Sequence, residues 1–291
     1  MSLNITVLTS RFIVCTTDRR LVFAKTGKIV SERSTKLTVF SCSDAVGLIT
    51  YNGIGRFASE SPSDWLLELD SRVHLSRMPL KDLLSRIRED ADSRFKKIAC
   101  ADKRHTFVVA AFAGNVPVGS LISNYESLLK DGHDATANPH FETTVGTPTG
   151  PEPIAVLVTG ATEDFDQKTG EAIKQKAKEG AAAVTIKQRC IKAIRDASYR
   201  RARIGKIGTS VLSGILDPTT RNCEVDLSVV GGTATIELPN SIGPSFSTKG
   251  GYVRKEGFLG PSGVTESECP NCGNPVPLGS KRCGICDQLL F

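Results

Sequence analysis

Four cysteines near the end of the chain carry the sharpest chemical signal. In CPNCGNPVPLGSKRCGIC, Cys269 and Cys272 stand two residues apart, as do Cys283 and Cys286, with ten residues between the pairs. Two thiolate pairs at this spacing suit a tetrahedral zinc ion. Gly273 and Gly284 permit the tight turns that aim backbone N–H groups at the sulfurs. The stretch is too short to bury a core, so the metal must supply its folding energy. With all four positions filled by protein, the zinc is structural. A redox dithiol is the alternative, but a lone CxxC of that kind does not come duplicated. The other five cysteines, Cys15, Cys42, Cys100, Cys190 and Cys223, are isolated in mostly apolar surroundings and read as buried free thiols.

The opposite end poses a second question. The chain opens MSLNITVLTSRFIVCTTDRRLVF, with a strand-like pattern starting almost at once. Removal of Met1 leaves a hydroxyl and a free α-amine on one residue, Ser2. A serine hydroxyl is a weak nucleophile near neutral pH and needs a base. An α-amine, with a reference pKa of about 7.7–8.0, is partly neutral there and always within reach of its own hydroxyl. The plainer reading is an N-terminal strand tied into a sheet, with Asp18 and Arg20 as a surface pair at a strand end and Lys36 as an ordinary strand-start cation.

Any such chemistry needs a scaffold. The chain has 291 residues, 40% hydrophobic and 23% charged, enough for a sizeable core without disulfides. No apolar run reaches the roughly 18 to 20 residues of a membrane span. Arg11 interrupts the early hydrophobic stretch, so no secretory signal is read and a cytoplasmic location is expected. A net charge of +6 is modest for this length and does not by itself imply nucleic acid.

Residues 4–16 alternate as a strand, and 20–24 with 28–30 suggest a hairpin around Lys25-Thr26-Gly27-Lys28. Strands follow at 36–41 and 45–51. Ser61-Pro62-Ser63-Asp64 starts a helix, and a second helix covers about 79–97. HTFVVAAFAG and PVGSLISNYE pair through a Gly114-Asn115 turn, polar residues 131–153 read as a long loop, and IAVLVTGA is a short buried strand. Two helices, about 166–181 and 184–202, precede the strands TSVLSGIL and NCEVDLSVV. Strands, two helices, strands, two helices, strands, with hairpins dominating, predict an α+β fold: a four-layer αββα sandwich over 1–238. A flexible linker is expected at 239–264 and the small four-cysteine module at 265–291.

On these residues the first 60 positions resemble a proteasome β-type subunit of the N-terminal-nucleophile hydrolases, and the element order extends the likeness to about residue 230. The last segment resembles a zinc ribbon. The first resemblance implies that Ser2 is the nucleophile, Lys36 a neighbouring cation held by Asp18, Arg20 a supporting residue and the Gly53 N–H the oxyanion donor. It also implies an amide substrate (a peptide or protein) and homo-oligomeric rings or related stacks. The family's Asp-x-x-Ser-Gly after the last long helix is absent: the chain reads Arg201-Ala202-Arg203-Ile204-Gly205 there. The family's serine before a strand-end glycine is matched only loosely, by Thr159-Gly160.

Two functions therefore stand side by side. One is an N-terminal-nucleophile hydrolase. The other is a catalytically inactive scaffold of the same fold that binds a protein partner, or nucleic acid, through its zinc ribbon. A basic helix with Lys187, Arg189, Lys192, Arg195 and Arg200, continuing to Arg201, Arg203 and Lys206, keeps nucleic acid in view, although no aromatic residues interleave it. His74, His105, His133 and His140 are scattered and suggest no second metal site.

Overall fold

Strand β1 (Leu3–Leu8) has apolar side chains at every second position, and all six of its residues are buried. Alternation sends Leu3, Ile5 and Val7 to one side and Asn4, Thr6 and Leu8 to the other. A strand buried on both faces has to lie between two layers, and the rest of the chain supplies them. The structure is a computed structural model. It describes residues 2–22, 28–56, 60–98, 102–125, 137–149, 153–200, 207–220, 223–228 and 240–242, together with the backbone of 266–268 and 275–277.

The chain continues through β2 (Ile13–Asp18), β3 (Leu21–Val22), β4 (Ile29–Ser31), β5 (Leu37–Ser41) and β6 (Ala45–Gly53). Helices α1 (Pro62–Val73) and α2 (Leu80–Lys96) follow, then β7 (His105–Ala113), β8 (Val116–Tyr125), β9 (Ala137–Gly146) and β10 (Ala155–Gly160). After α3 (Gln167–Lys178) and α4 (Ala183–Arg200) come β11 (Val211–Leu216), β12 (Cys223–Ser228), β13 (Asn240–Ile242) and a hairpin of β14 (Glu266–Glu268) and β15 (Pro275–Pro277).

One sheet runs β10-β1-β2-β11-β12 and the other β13-β5-β6-β7-β8-β9. The first is antiparallel throughout. The second is antiparallel apart from the parallel β13–β5 pair. Between the sheets lie Leu8, Ile13, Leu48, Phe112, Leu212 and Leu216. On the outer side of the first sheet, Leu3, Ile5 and Val7 meet Ile186, Ile191 and Ile194 of α4. On the outer side of the second, Tyr51 and Phe107 meet Trp65, Leu69, Leu84 and Ile87 of α1 and α2. Helices, sheet, sheet and helices thus form three apolar interfaces, which is how amphipathic elements bury every apolar face. Gly214 lets the sheets approach: Leu48 lies 3.0 Å from where a Cβ would sit.

The helix starts follow local chemistry. Ser61 accepts from the Asp64 N–H at 3.1 Å while the Asp64 carboxylate accepts from the Ser61 N–H at 3.0 Å, a reciprocal cap with Pro62 at the first helical position. Two segments depart from the sequence reading. Within the polar stretch 131–153, residues Ala137–Gly146 form the edge strand β9, paired with β8. An edge strand with most of one face in solvent needs no apolar alternation, so its composition reads as loop. Residues 240–242, at the start of the expected linker, pair with β5 and bury Ile242. Residues 25–27 of the first hairpin lie outside the described residues, while its flanks pair as β3 and β4.

His105 shows how dry the outer core is. It is 0% exposed, with the rings of Phe107, Phe95 and Tyr51 at 4.4, 5.0 and 5.7 Å. Burial lowers its pKa from 6.5 to about 3. A base with a depressed native pKa stays neutral when folded but binds a proton when unfolded, so stability falls with pH from 6.5 toward 3. His105→Leu removes that dependence. Wild-type stability is expected to drop by up to about 1.4 kcal/mol per pH unit more steeply than the variant's below pH 6.5, measured by denaturant titration at successive pH values.

Candidate functional site

The end of β2 and the start of β5 converge on Ser2. Asp18 closes β2 and is fully buried, which a carboxylate tolerates only with donors around it. It has four: the N–H of Leu3 at 2.9 Å on one oxygen, and the N–H of Arg20 at 3.0 Å, the N–H of Gly208 at 3.1 Å and Lys36 Nζ at 3.3 Å on the other. Three of these are backbone groups, so the carboxylate is fixed by the chain path itself. Lys36 enters just before β5 and is 1% exposed. Its Nζ donates to Ser2 Oγ at 2.5 Å and to the Arg20 carbonyl at 2.6 Å. Burial lowers the Lys36 pKa, and the Asp18 carboxylate acts against that shift. Ser2 is itself 4% exposed.

Ser2, Asp18 and Lys36 thus meet in one cluster. Arg20 takes part through its backbone. Its carbonyl and N–H bind Lys36 and Asp18, while its guanidinium turns to Glu32 at 2.7 Å. Gly53 ends β6 with φ of +103°, a left-handed conformation natural to glycine, and is exposed. A Cβ there would lie 2.2 Å from the Arg104 carbonyl oxygen.

Gly160, at the end of β10, has φ of +96° and lies against the nucleophile. A Cβ at Gly160 would sit 1.8 Å from the Ser2 carbonyl oxygen and 3.5 Å from Asn52 Cβ. That carbonyl is held by the Ala161 N–H at 2.8 Å. The chain start is thus clamped between β10 and the Asp18 loop, with Asn52 of the other sheet beside it. Gly160, Gly208 and Asn52 join the site without a sequence motif of their own. The first two act through backbone contacts that leave no side-chain signature.

Other candidates resolve as follows. Along α4, Lys187 pairs with Asp226 and Lys192 with Asp196 at 3.1 Å. Arg195 turns inward to the Thr209 carbonyl at 3.3 Å and Ser228 Oγ at 3.0 Å. Of the cations on this helix, Arg195 is buried, while Arg189, Lys192 and Arg200 are exposed. Arg201, Arg203 and Lys206 lie outside the described residues, as does the 201–205 stretch that lacks the family's Asp-x-x-Ser. Among the described residues, no group of three or more His, Cys, Asp and Glu is placed to hold a metal, and no helix is long and apolar enough to cross a membrane. Cys269, Cys272, Cys283 and Cys286 also lie outside the described residues. The backbone strands on either side of the first pair, β14 and β15, form an antiparallel ladder.

Gly160→Ala tests the clamp. A methyl group at a left-handed φ and 1.8 Å from a carbonyl oxygen forces the chain start to move. The variant is expected to lose about 1–3 kcal/mol of stability in denaturant unfolding.

No family model matches this chain, and no curated protein matches it. Solved structures do resemble it. Anbu (ancestral beta-subunit) from Yersinia bercovieri is similar at 12% identity with a TM-score of 0.49, the match covering 74% of this chain and 81% of that one. The Anbu (Gly-1) mutant from Hyphomicrobium sp. strain MC1 is similar at 10% identity with a TM-score of 0.49, covering 75% and 83%. These findings correct the resemblance drawn from the sequence, that of a proteasome β-type chain with an appended zinc ribbon: no family model supports it, the neighbours are Anbu proteins of low identity, and no zinc ribbon is seen among the described residues. A few polar residues in order along 60 positions report a local arrangement of side chains; family membership requires similarity along far more of the chain.

Proposed function

We propose that this chain is an amide hydrolase acting through Ser2, once the bond between Met1 and Ser2 has been cut and the Ser2 α-amine is free. The observation that carries the reading is the 2.5 Å contact between Lys36 Nζ and Ser2 Oγ, in a setting where both residues are buried. A buried ammonium is costly unless its charge is put to use or paired. Here it is shared between Asp18, the Arg20 carbonyl and the one hydroxyl that the N-terminal residue brings.

The chemistry follows from these groups. Ser2 Oγ attacks the substrate carbonyl carbon, and its proton passes to the α-amine of the same residue. The Lys36 ammonium stabilises the developing negative charge on Oγ, and Asp18 keeps that ammonium aligned. The Gly53 N–H is the donor assigned to the carbonyl oxygen as it becomes an oxyanion, where one such donor contributes on the order of 10²–10³ in rate. The amine then returns the proton to the leaving nitrogen, giving an ester on Ser2. Water cleaves that ester and restores the hydroxyl. Peptides or other amides are the substrate class. A zinc ion held by Cys269, Cys272, Cys283 and Cys286 belongs to the same proposal as a structural element, and its thiolate donors suit that metal.

The second reading is a scaffold of the same fold without activity, favoured by the absence of a carboxylate and a hydroxyl in Arg201-Ala202-Arg203-Ile204-Gly205. Reaction with a peptide epoxyketone separates the two. Protein beginning at Ser2 is expected to gain one adduct by intact mass, mapped to Ser2, while protein that is N-acetylated or retains Met1 gains none. A folded protein beginning at Ser2 that stays unmodified supports the scaffold.

The pH profile of kcat/KM adds an independent check. Activity is expected to rise as the α-amine loses its proton, with a reference pKa of about 7.7–8.0. It is expected to fall again below pH 10.5, the ordinary lysine value, because burial makes Lys36 lose its charge early. Lys36→Met keeps the three backbone donors to Asp18 and should fold, with kcat/KM lower by about 10²–10⁴.

A further inference from the structure

We propose that the space between the two sheets, directly behind Ser2, is a binding site for ordered water, held by Asn4, Thr50, Asn52 and Thr159, and that this water is the co-substrate that cleaves the Ser2 ester. The second clause rests on the role proposed for Ser2; the first does not.

Register places these four side chains together. Asn4 is two residues along β1 from Ser2 and lies opposite Thr159 of β10. Strand alternation puts Asn4 on the same face as Leu8, which packs between the sheets. Thr50 and Asn52 share the face of β6 that carries Val46 and Leu48 into the same interface. Asn52 Cβ and the Ser2 carbonyl both lie within 3.5 Å of the position a Gly160 Cβ would take. The inner faces are therefore apolar at the Leu8 and Leu48 end and polar at the Ser2 end.

At that polar end, five buried atoms have no protein partner: both amide atoms of Asn4, Asn52 Nδ2, Thr50 Oγ1 and Thr159 Oγ1. Asn4, Thr50 and Asn52 are 1%, 0% and 2% exposed. Their polar neighbours on the same inner faces are satisfied within the protein. Thr6 bonds Cys15, Thr17 bonds the Asp18 carbonyl, and Thr106 bonds Ser123. On these inner faces the five unpartnered atoms lie at the Ser2 end, while elsewhere among the described residues Ser120, Ser210 and Ser213 also carry unpartnered buried hydroxyls. Buried amides and hydroxyls left dry are strongly unfavourable, and native proteins satisfy such groups with internal water. The donor set selects the ligand. Two amide nitrogens must donate, while the Asn4 oxygen accepts and the hydroxyls do either. Water complements both kinds, whereas a metal cation offers nothing to an N–H group.

The reaction balances with this water alone. Its oxygen forms the new bond to the acyl carbon, the bond from that carbon to Ser2 Oγ breaks, one water proton passes through the α-amine to Oγ, and a carboxylic acid leaves. Asn4, Thr50 and Asn52 act as positioning residues.

The site itself is tested without activity. In 15N-labelled protein, cross-relaxation from long-lived water to the side-chain amide protons of Asn4 and Asn52 is expected. Absence of that transfer, with both amides assigned in folded protein, overturns the proposal. Replacement supplies a second readout. Asn4→Leu and the gentler Thr50→Val are expected to lower Tm, because each strands the partners that share the water. A rise in Tm with either variant means that the groups were dry and overturns the proposal.

In protein that forms an acyl-enzyme, Thr50→Val is expected to slow steady-state turnover of an activated ester by about 10- to 100-fold. The burst amplitude and the rate of release by added hydroxylamine should stay unchanged. Equal loss in burst and turnover overturns the role in hydrolysis. If wild-type protein shows no burst while the water signals persist, the Ser2 reading fails and the water site stands.

Discussion

A lysine ammonium held in the protein interior against a single serine hydroxyl is the constraint around which the rest of this structure is arranged. Removing Lys36 from water is opposed by several kcal/mol unless the interior provides equivalent partners. The partners come from three different places: the Asp18 carboxylate at the end of β2, the Arg20 carbonyl in the following turn, and Ser2 Oγ at the chain start. Asp18 in turn draws on the N–H groups of Leu3, Arg20 and Gly208. Moving any one of these segments would leave a buried charge without compensation, so the cluster also locks the chain start, the β2 end and the segment before β11 to each other.

The sandwich makes that cluster possible. Two sheets stacked face to face need side chains between them, and near Leu8 and Leu48 those side chains are apolar and close-packed. Toward Ser2 the inner faces change character, with Asn4, Thr50, Asn52 and Thr106 in positions that elsewhere carry leucine or phenylalanine. A stable fold does not require polar groups there, and an apolar filling would satisfy the same volume. Their concentration at the end that holds the nucleophile links the interior of the sandwich to the chemistry at its edge. On the outer side of the second sheet, α1 and α2 seal an aromatic cluster dry enough to keep His105 neutral.

Much of the architecture was legible in the chain because its elements obey local rules. The reciprocal Ser61–Asp64 cap, the apolar stripe of α2 and the alternation of β7 and β8 each depend on neighbours within a few residues. Strand β9 escaped notice because an edge strand mostly facing solvent has no reason to alternate. The β13 pairing escaped it because three residues with one buried side chain leave too little pattern. The family resemblance failed for a related reason, since polar residues in the right order specify a local arrangement without specifying ancestry.

The amino-acid sequence by itself determined which groups were available: a serine that one cleavage can place at the chain start, an aspartate at a strand end, a lysine before the next strand, and glycines where the backbone turns left-handed. It determined most helices and strands too, because these follow from capping and periodicity over short distances. Only the tertiary structure decided that Lys36 points at Ser2, that Arg20 serves through its backbone while its guanidinium turns away to Glu32, and that Ser2 and Asn52 meet beside Gly160. Those outcomes depend on sheet register and on the stacking of two sheets, where residues distant in sequence share one dry space and burial sets which polar groups must find each other.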